Sequence, residues 1–353
     1  MSGLLSYVPI ANRLVGTGSR QQAIHLPPVE IHQIETNPSR RARCLKHLLK
    51  ANHVNYSIVY NHLRSVNQTS HLLSTAYLLG ADETKLNDLY EVGIKHLEPW
   101  TPSPAEVADL DWQDFLGERD LIGDAAQPLI HLGYAYEMDS KELAMEALGL
   151  ACIQHNFLHK YITQDAYTRP SPLTSDSPLD LLTKISEDGR FSKIPKATEF
   201  SELEQVFAEH EDLILEYWNA LDFDDAMDQF RLSQEAPVAL LATSVKAGTH
   251  VYSANFVHLL SASHAIRWWL LAIAVFVLAG RPRPDPESLD VAANGTDWAW
   301  VQKTALTSKW SHDAGFLEAI RTMKENAKTW GDGQEMYLEA AVMFVEGFKG
   351  WSA

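Results

Sequence analysis

The chain has 353 residues, enough for one large domain or two of ordinary size, since cores beyond roughly 250–300 residues tend to split. Apolar residues make up 46% and charged residues 21%, a globular composition that excludes wholesale disorder. With 29 Lys and Arg against 46 Asp and Glu, the formal charge of −17 repels phosphate backbones and anionic membranes, so no nucleic acid and no membrane is expected as a partner.

In chain order, residues 1–40 are rich in Gly, Pro, Ser and Gln without a sustained period, which reads as an irregular N-terminal arm. Its start, MSGLLSYVPIANRLVG, has neither a basic n-region nor a long apolar h-region, so no secretory signal is expected. Helical spacing begins at Arg41 with ARCLKHLLKANH and continues through VNYSIVYNHL and SHLLSTAYLLGA, where Gly80 is placed to end a helix. Asp82 or Thr84 starts the next helix, and WTPSPAEV then connects to DWQDFLGERDLIGDAAQPLIHLGYAYEM. Ser140 caps KELAMEALGLACIQHNFLHKYI, and YTRPSPLTSDSPLD reads as a linker or a long loop. SPLDLLTKISEDGRF, FSELEQVFAEHEDLILEYWNAL and the segment 252–280 resume the helical pattern. RPRPDPESLD breaks it, and three amphipathic helices close the chain. The apolar run from Trp268 to Ala279 falls well short of the ~20 residues a bilayer requires and reads as a buried helix. The expected fold is therefore all-α: a single large helical domain over residues 41–353, built around a central aromatic-lined cavity.

Cys44 and Cys152 are far apart and lack CxxC spacing, so neither a disulfide framework nor a thiolate zinc site is indicated, and a cytoplasmic, reducing compartment is expected. The Asn-x-Ser/Thr matches at Asn55, Asn67 and Asn294 are then chance. There is no GxGxxG, P-loop or GxSxG, which removes most nucleotide-binding, Rossmann and hydrolase readings.

Chemistry is carried by histidines. There are 15, and His71, His131 and His258 fall on apolar helical stretches, a set able to bind iron, zinc or copper between helices. Helix-packing histidines bonded to carbonyls are the equal alternative. His258 and His264 lie about 120° apart on one helix at ~100° per residue, so they need different partners, while Arg267 shares the face of His264. His155 and His159 have i, i+4 spacing, which suits a metal pair but more often marks a packing or solvent-side pair. Tyr134, Tyr136, Trp268, Trp269 and Trp310 suit a flat aromatic ligand, though most such residues are core. Glu137 and Asp139 would shift proton affinity if buried beside His131; the ordinary alternative is a solvated helix turn.

The segments SHLLSTAYLLGAD, DWQDFLGERD, PLIHLGYAYEMDSKELAMEALGLA, SPLDLLTKI, FVHLLSASHAIR, DWAWVQKTAL and DAGFLEAIR, in that order from about Tyr60 to Trp330, resemble the questin oxidase-like family. The resemblance implies a mostly helical single domain that oxidatively opens the quinone ring of anthraquinones in fungal aromatic polyketide pathways, with NADPH as possible reductant. It also implies a non-haem iron, Fe(II), held by several histidines and, in one branch, a carboxylated lysine. Carried over, the matching positions are His71, His131 and His258, with His264 and Arg267 completing SASHAIR. Where the family usually reads HNHxxH, this chain reads Val66 to His71, keeping Asn67 and the last histidine. Where the family reads DxHxxK, this chain has Asp313 to Glu318, with Gly315 and Glu318 at the histidine and lysine positions. Glu318 is then a candidate fourth metal ligand, and His312 a candidate for compensation.

Two functions follow. One is an iron oxygenase acting on a polycyclic, polyketide-derived small molecule, with metal ligands His71, His131, His258 and Glu318. Its other catalytic residues would be His264 and Arg267, and Tyr134, Trp268, Trp310 and Asn67 would line the substrate. The other is a metal-independent cyclase, lyase, isomerase or pericyclic catalyst on the same scaffold, using His131 and His258 as acid and base. A carrier that keeps the cavity without chemistry is a third.

Overall fold

The computed structural model describes residues 28–62, 65–102, 123–153, 157–158, 160–161, 164–194, 200–222, 225–243, 245, 251–265, 296–332 and 336–352. In chain order its main elements are α1 (Arg40–Asn55), β1 (Val59–Tyr60), β2 (Ser65–Val66), α2 (Thr69–Leu78), α3 (Glu83–Gly93), α4 (Gly123–Met138), α5 (Lys141–Ile153), α6 (Pro178–Glu187), α7 (Phe200–Trp218), α8 (Ala226–Thr243), β3 (Tyr252–Ser253), α9 (Ala254–Ala265), α10 (Trp298–Thr307), α11 (Ala314–Trp330), α12 (Met336–Gly347) and β4 (Trp351–Ser352). Among the described residues the strands form only two ladders of two residues each, so the chain is all-α. No described helix is long and apolar enough to cross a membrane.

The chain divides into two compact units, one of residues 28–156 and 293–325, the other including 157–292 and 326–353. In the first unit α1 packs on α2, α3 and α5, α2 also on α3 and α4, and α4 closely against α5. The reason α2 lies at the centre is written in its residues: Thr69 through Tyr77 are all buried, and the small polar Thr69, Ser70, Ser74 and Thr75 let neighbouring helices come near. Gly93 permits one such approach, since a β-carbon there would sit 3.0 Å from the Thr69 hydroxyl. Local chemistry sets the boundaries. Ser39 accepts from the Ala42 amide at the start of α1, Asp82 from Lys85 at the start of α3, and Asp297 from Trp300 at the start of α10. Gly80, at φ +97°, turns the chain out of α2.

In the other unit α8 packs against α6, α9 and α12, and β3 pairs in parallel with β4. Periodicity alone does not mark α8, whose buried residues crowd into its second half around Pro237. The Pro- and Ser-rich stretch 167–180 is a loop as far as Ser177, which caps α6 within this unit, and it is tied down where Ser175 bridges Leu221.

The helical reading of residues 54–63 is corrected. α1 ends at Asn55, and Val59–Tyr60 pairs antiparallel with Ser65–Val66. A short run of aromatic and β-branched residues takes whichever pairing distant residues offer: Tyr56 bridges Pro99, and the Ser57 amide donates to the Glu98 carbonyl at 3.0 Å. The apolar run 268–279 and the proline-rich 281–290 lie outside the described residues, as do most of the N-terminal arm and the DWQDFLGERD stretch.

Replacing Asp297 by Ala removes the side-chain acceptor at the start of α10. A loss of about 1 kcal/mol in the urea unfolding free energy is expected, with helical content at zero denaturant unchanged.

Candidate functional site

Five helices of the first unit each contribute one side chain to a continuous hydrogen-bonded row. On α11, the Glu318 carboxyl lies 3.0 Å from Nδ1 of His71 on α2. Nε2 of His71 lies 2.8 Å from Nδ1 of His131 on α4. Nε2 of His131 lies 2.8 Å from Oε2 of Glu146 on α5, and the other oxygen of Glu146 is 3.0 Å from Nδ1 of His53 at the end of α1. Ser70 also donates to Glu146 at 3.4 Å. Four of the five groups are buried, His131 completely, whereas the His53 side chain is 29% exposed.

Each link of a hydrogen-bonded row holds one proton, and this constrains the charge states. Burial outweighs the bond to Glu146 and lowers the proton affinity of His131, so at neutral pH His131 carries a single proton. Burial works to raise the Glu146 carboxyl, but the hydrogen bonds from His131 and His53 prevail and hold it down at about 2. An ionised Glu146 accepts, so the proton of His131 sits on Nε2, leaving Nδ1 to accept from Nε2–H of His71. The bond to Glu146 raises the proton affinity of His53 against a smaller opposing effect of burial. The links His71 to His131 to Glu146 therefore run one way, each donating toward Glu146.

The surroundings fix His71. The Tyr134 ring lies 5.0 Å from the His71 ring, and its hydroxyl is 2.6 Å from that of Thr75 one turn further along α2. Burial raises the Tyr134 hydroxyl far above its ordinary range, with Glu318 adding to it, so the phenol stays protonated. Arg321, one turn beyond Glu318, lies 5.2 Å from the centre of the Tyr134 ring and pairs closely with the buried Glu137 of α4.

Of the residues singled out from sequence, His71, His131, Glu318 and Tyr134 meet in this unit. Asn67 is buried beside the start of α2, where its carbonyl accepts from the Thr69 amide and its amide donates to Asn52 and the Ser57 carbonyl. Trp310 stands half-buried in the turn before α11, with the Lys309 ammonium 4.7 Å from its ring centre. His312 is exposed in the same turn. His258 is half-buried on α9 and belongs to the other unit. His264 lies on the last turn of α9 but its side chain is outside the described residues, as are Arg267, Trp268, His155 and His159 entirely. Asp139 is exposed.

Glu146 and His53 are members that the sequence reading passes over. A signal for Glu146 exists: it occupies the stripe Leu143, Glu146, Ala147, Leu150, so a carboxylate falls on the apolar face of α5. For His53 there is none beyond its place in the last turn of a helix.

The described residues define an all-α protein with a histidine–carboxylate row running between its helices. The questin oxidase-like family matches residues 65–122 and 119–323, and the chain belongs to that family. Membership makes it an oxidoreductase, with an oxygenase-type role in secondary metabolism. No curated protein matches it.

The iron that the resemblance implies can be tested against these donors. His71 faces His131 with Nε2 and Glu318 with Nδ1, and the two nitrogens of one imidazole point away from each other. Glu318 and His131 therefore cannot join His71 around one ion, and a 2-His-1-carboxylate arrangement needs all three on one point. Among the described residues no group of three or more His, Cys, Asp or Glu is placed to hold a metal. The residues in this row do not fit the ion as ligands.

Acid should weaken this site in two stages. His131, whose proton affinity is lowered by folding, makes stability fall as pH drops below the ordinary value of 6.5. Glu146, held at about 2 against an ordinary 4.5, adds stability that is complete above 4.5 and lost as pH falls toward 2. That contribution is on the order of 3 kcal/mol at neutral pH. The melting-temperature gap between wild type and Glu146→Gln, measured from pH 6 to pH 3, should shrink as pH falls; a constant gap would contradict the assignment.

Proposed function

We propose that this oxidoreductase oxygenates a polycyclic phenol or quinone of the aromatic polyketide type, and that the row from His53 to Glu318 handles the protons of the reaction. The observation that carries the reading is the unbroken sequence of five acid–base groups with one end buried and the other, His53, reaching solvent. Oxidation of a phenol requires its hydroxyl proton to leave, because the phenolate gives up electron density to an oxidant far more readily than the phenol does. His53 is placed to take that proton at Nε2. Glu146 holds its Nδ1, orienting the ring and stabilising the imidazolium that forms, the role a carboxylate has behind a catalytic histidine. His131, His71 and Glu318 let the charge on Glu146 readjust without water entering the core.

A second reading keeps the same residues and removes the oxidant: a cyclase, lyase or isomerase working by proton transfer alone. It is favoured by the commitment of both nitrogens of His71 and His131 to hydrogen bonds, which suits acid–base work. Oxygen separates the two. With a hydroxylated anthraquinone as substrate, oxygen uptake matching substrate loss is expected, and product formed at an undiminished rate in anaerobic buffer would replace the first reading by the second.

His53→Gln should lower kcat by roughly 10²–10⁴. The pH profile provides a sharper check. His53 acts as a base only when neutral, and Glu146 raises its proton affinity, so kcat/KM should rise with pH through an inflection above 6.5. In Glu146→Gln that inflection should move down. An inflection that stays in place would remove Glu146 from the role given it.

A further inference from the structure

The open end of the row lies in a groove of about 390 Å³ in the first unit, whose lining includes His53, Tyr56, Trp100, Met145, Glu146 and Gly149. This volume is at the lower end of the roughly 300–1,000 Å³ usual for small-molecule sites. Two features of its wall are unfavourable for a protein with no ligand there. Trp100 is 56% and Met145 53% exposed, leaving large apolar side chains in water. Gly149 interrupts the middle of α5, where glycine weakens a helix, yet a β-carbon at this position would meet no atom within 4 Å. Neither tight packing nor a positive φ requires a glycine there. Gly149 lines the groove, and a side chain there would project into unoccupied space.

The groove also has a fixed geometry. The Trp100 amide donates to the Asn55 carbonyl at 2.9 Å and Tyr56 bridges Pro99, so the indole and phenol rings stand on paired backbone at the end of α1. Aromatic and thioether side chains offer flat, polarisable contact, and the polar end carries an imidazole backed by a buried carboxylate. We infer that this groove is a binding site for a flat, fused-ring phenol, whose ring system lies among Trp100, Tyr56 and Met145 and over Gly149, and whose hydroxyl meets His53. The inference rests on the proposed function and specifies where its substrate sits. On binding, the phenol O–H bond breaks and an N–H bond forms at His53 Nε2, giving a phenolate–imidazolium pair with the Glu146 carboxylate behind it. The O–H pair stays on the phenol oxygen, the Nε2 lone pair forms the N–H bond, and nothing is oxidised or reduced.

The probe is 1,8-dihydroxyanthraquinone, whose visible band moves to longer wavelength on ionisation. It is added to the full chain at a pH where the free probe is neutral. Wild type should bind it with appearance of the long-wavelength band. Gly149→Leu narrows the groove and replaces a helix-interior glycine, so it should melt no lower than wild type and bind at least tenfold more weakly. His53→Gln should retain binding, followed by equilibrium dialysis, without the ionised band. No binding to wild type, or wild-type affinity in Gly149→Leu, overturns the inference. A band that persists in His53→Gln also overturns it, since another group then takes the proton. Failure of the proposed function looks different: the probe binds and ionises as described but no oxygen is consumed. Conversely, oxygen uptake undiminished in Gly149→Leu discards the groove and leaves the function standing.

Discussion

The site depends on the Glu146 carboxylate, which accepts from two histidines of opposite exposure, His131 in the core and His53 at the surface. A buried carboxylate is unfavourable alone, and one left without its partners costs several kcal/mol. Here the opposition is resolved by two imidazole donors and the Ser70 hydroxyl. Because Glu146 stays ionised, His131 must place its proton on Nε2, and its Nδ1 then accepts from His71.

That requirement extends into the fold. The row needs α1, α2, α4, α5 and α11 in register, since a side chain moved by one helical turn, about 5.4 Å, breaks a link. The residues that hold the register are ordinary. Small side chains on α2 and Gly93 at the end of α3 set close helix contacts, and the caps at Ser39 and Asp82 set where α1 and α3 begin. Arg321 and Glu137 add a buried pair between α11 and α4 beside Tyr134. Packing that would otherwise serve only stability here also controls proton geometry.

Glu318 illustrates how a substitution at a family position changes what the position can do. By resemblance a lysine carboxylated for iron stands there, and a glutamate is a candidate to supply the same oxygen donors. The carboxylate is instead bound to the nitrogen of His71 that faces away from His131. In the proposed function, a group that could have been a ligand is the buried end of the row.

How much of this is legible in the residues follows from the range of each interaction. Helical periodicity, the Asp82 cap and the Gly80 stop are local, and sequence by itself determined the all-α class, most helix positions and the family. It also pointed to His71, His131, Tyr134 and Glu318 as members of a site. Residues 54–63 show where local signals end: Tyr56 to Tyr60 fit a helix or a strand equally, and pairing with residues 65–66 and 98–99 decided for the strand. Only the tertiary structure decided that Glu146 and His53 join the row, that Asn67 is buried between Asn52, Ser57 and the Thr69 amide, and which nitrogen of each imidazole meets which partner. The physical reason is that a hydrogen bond depends on the position and direction of two atoms brought together from helices up to 247 residues apart along the chain, and no spacing within one helix records that meeting.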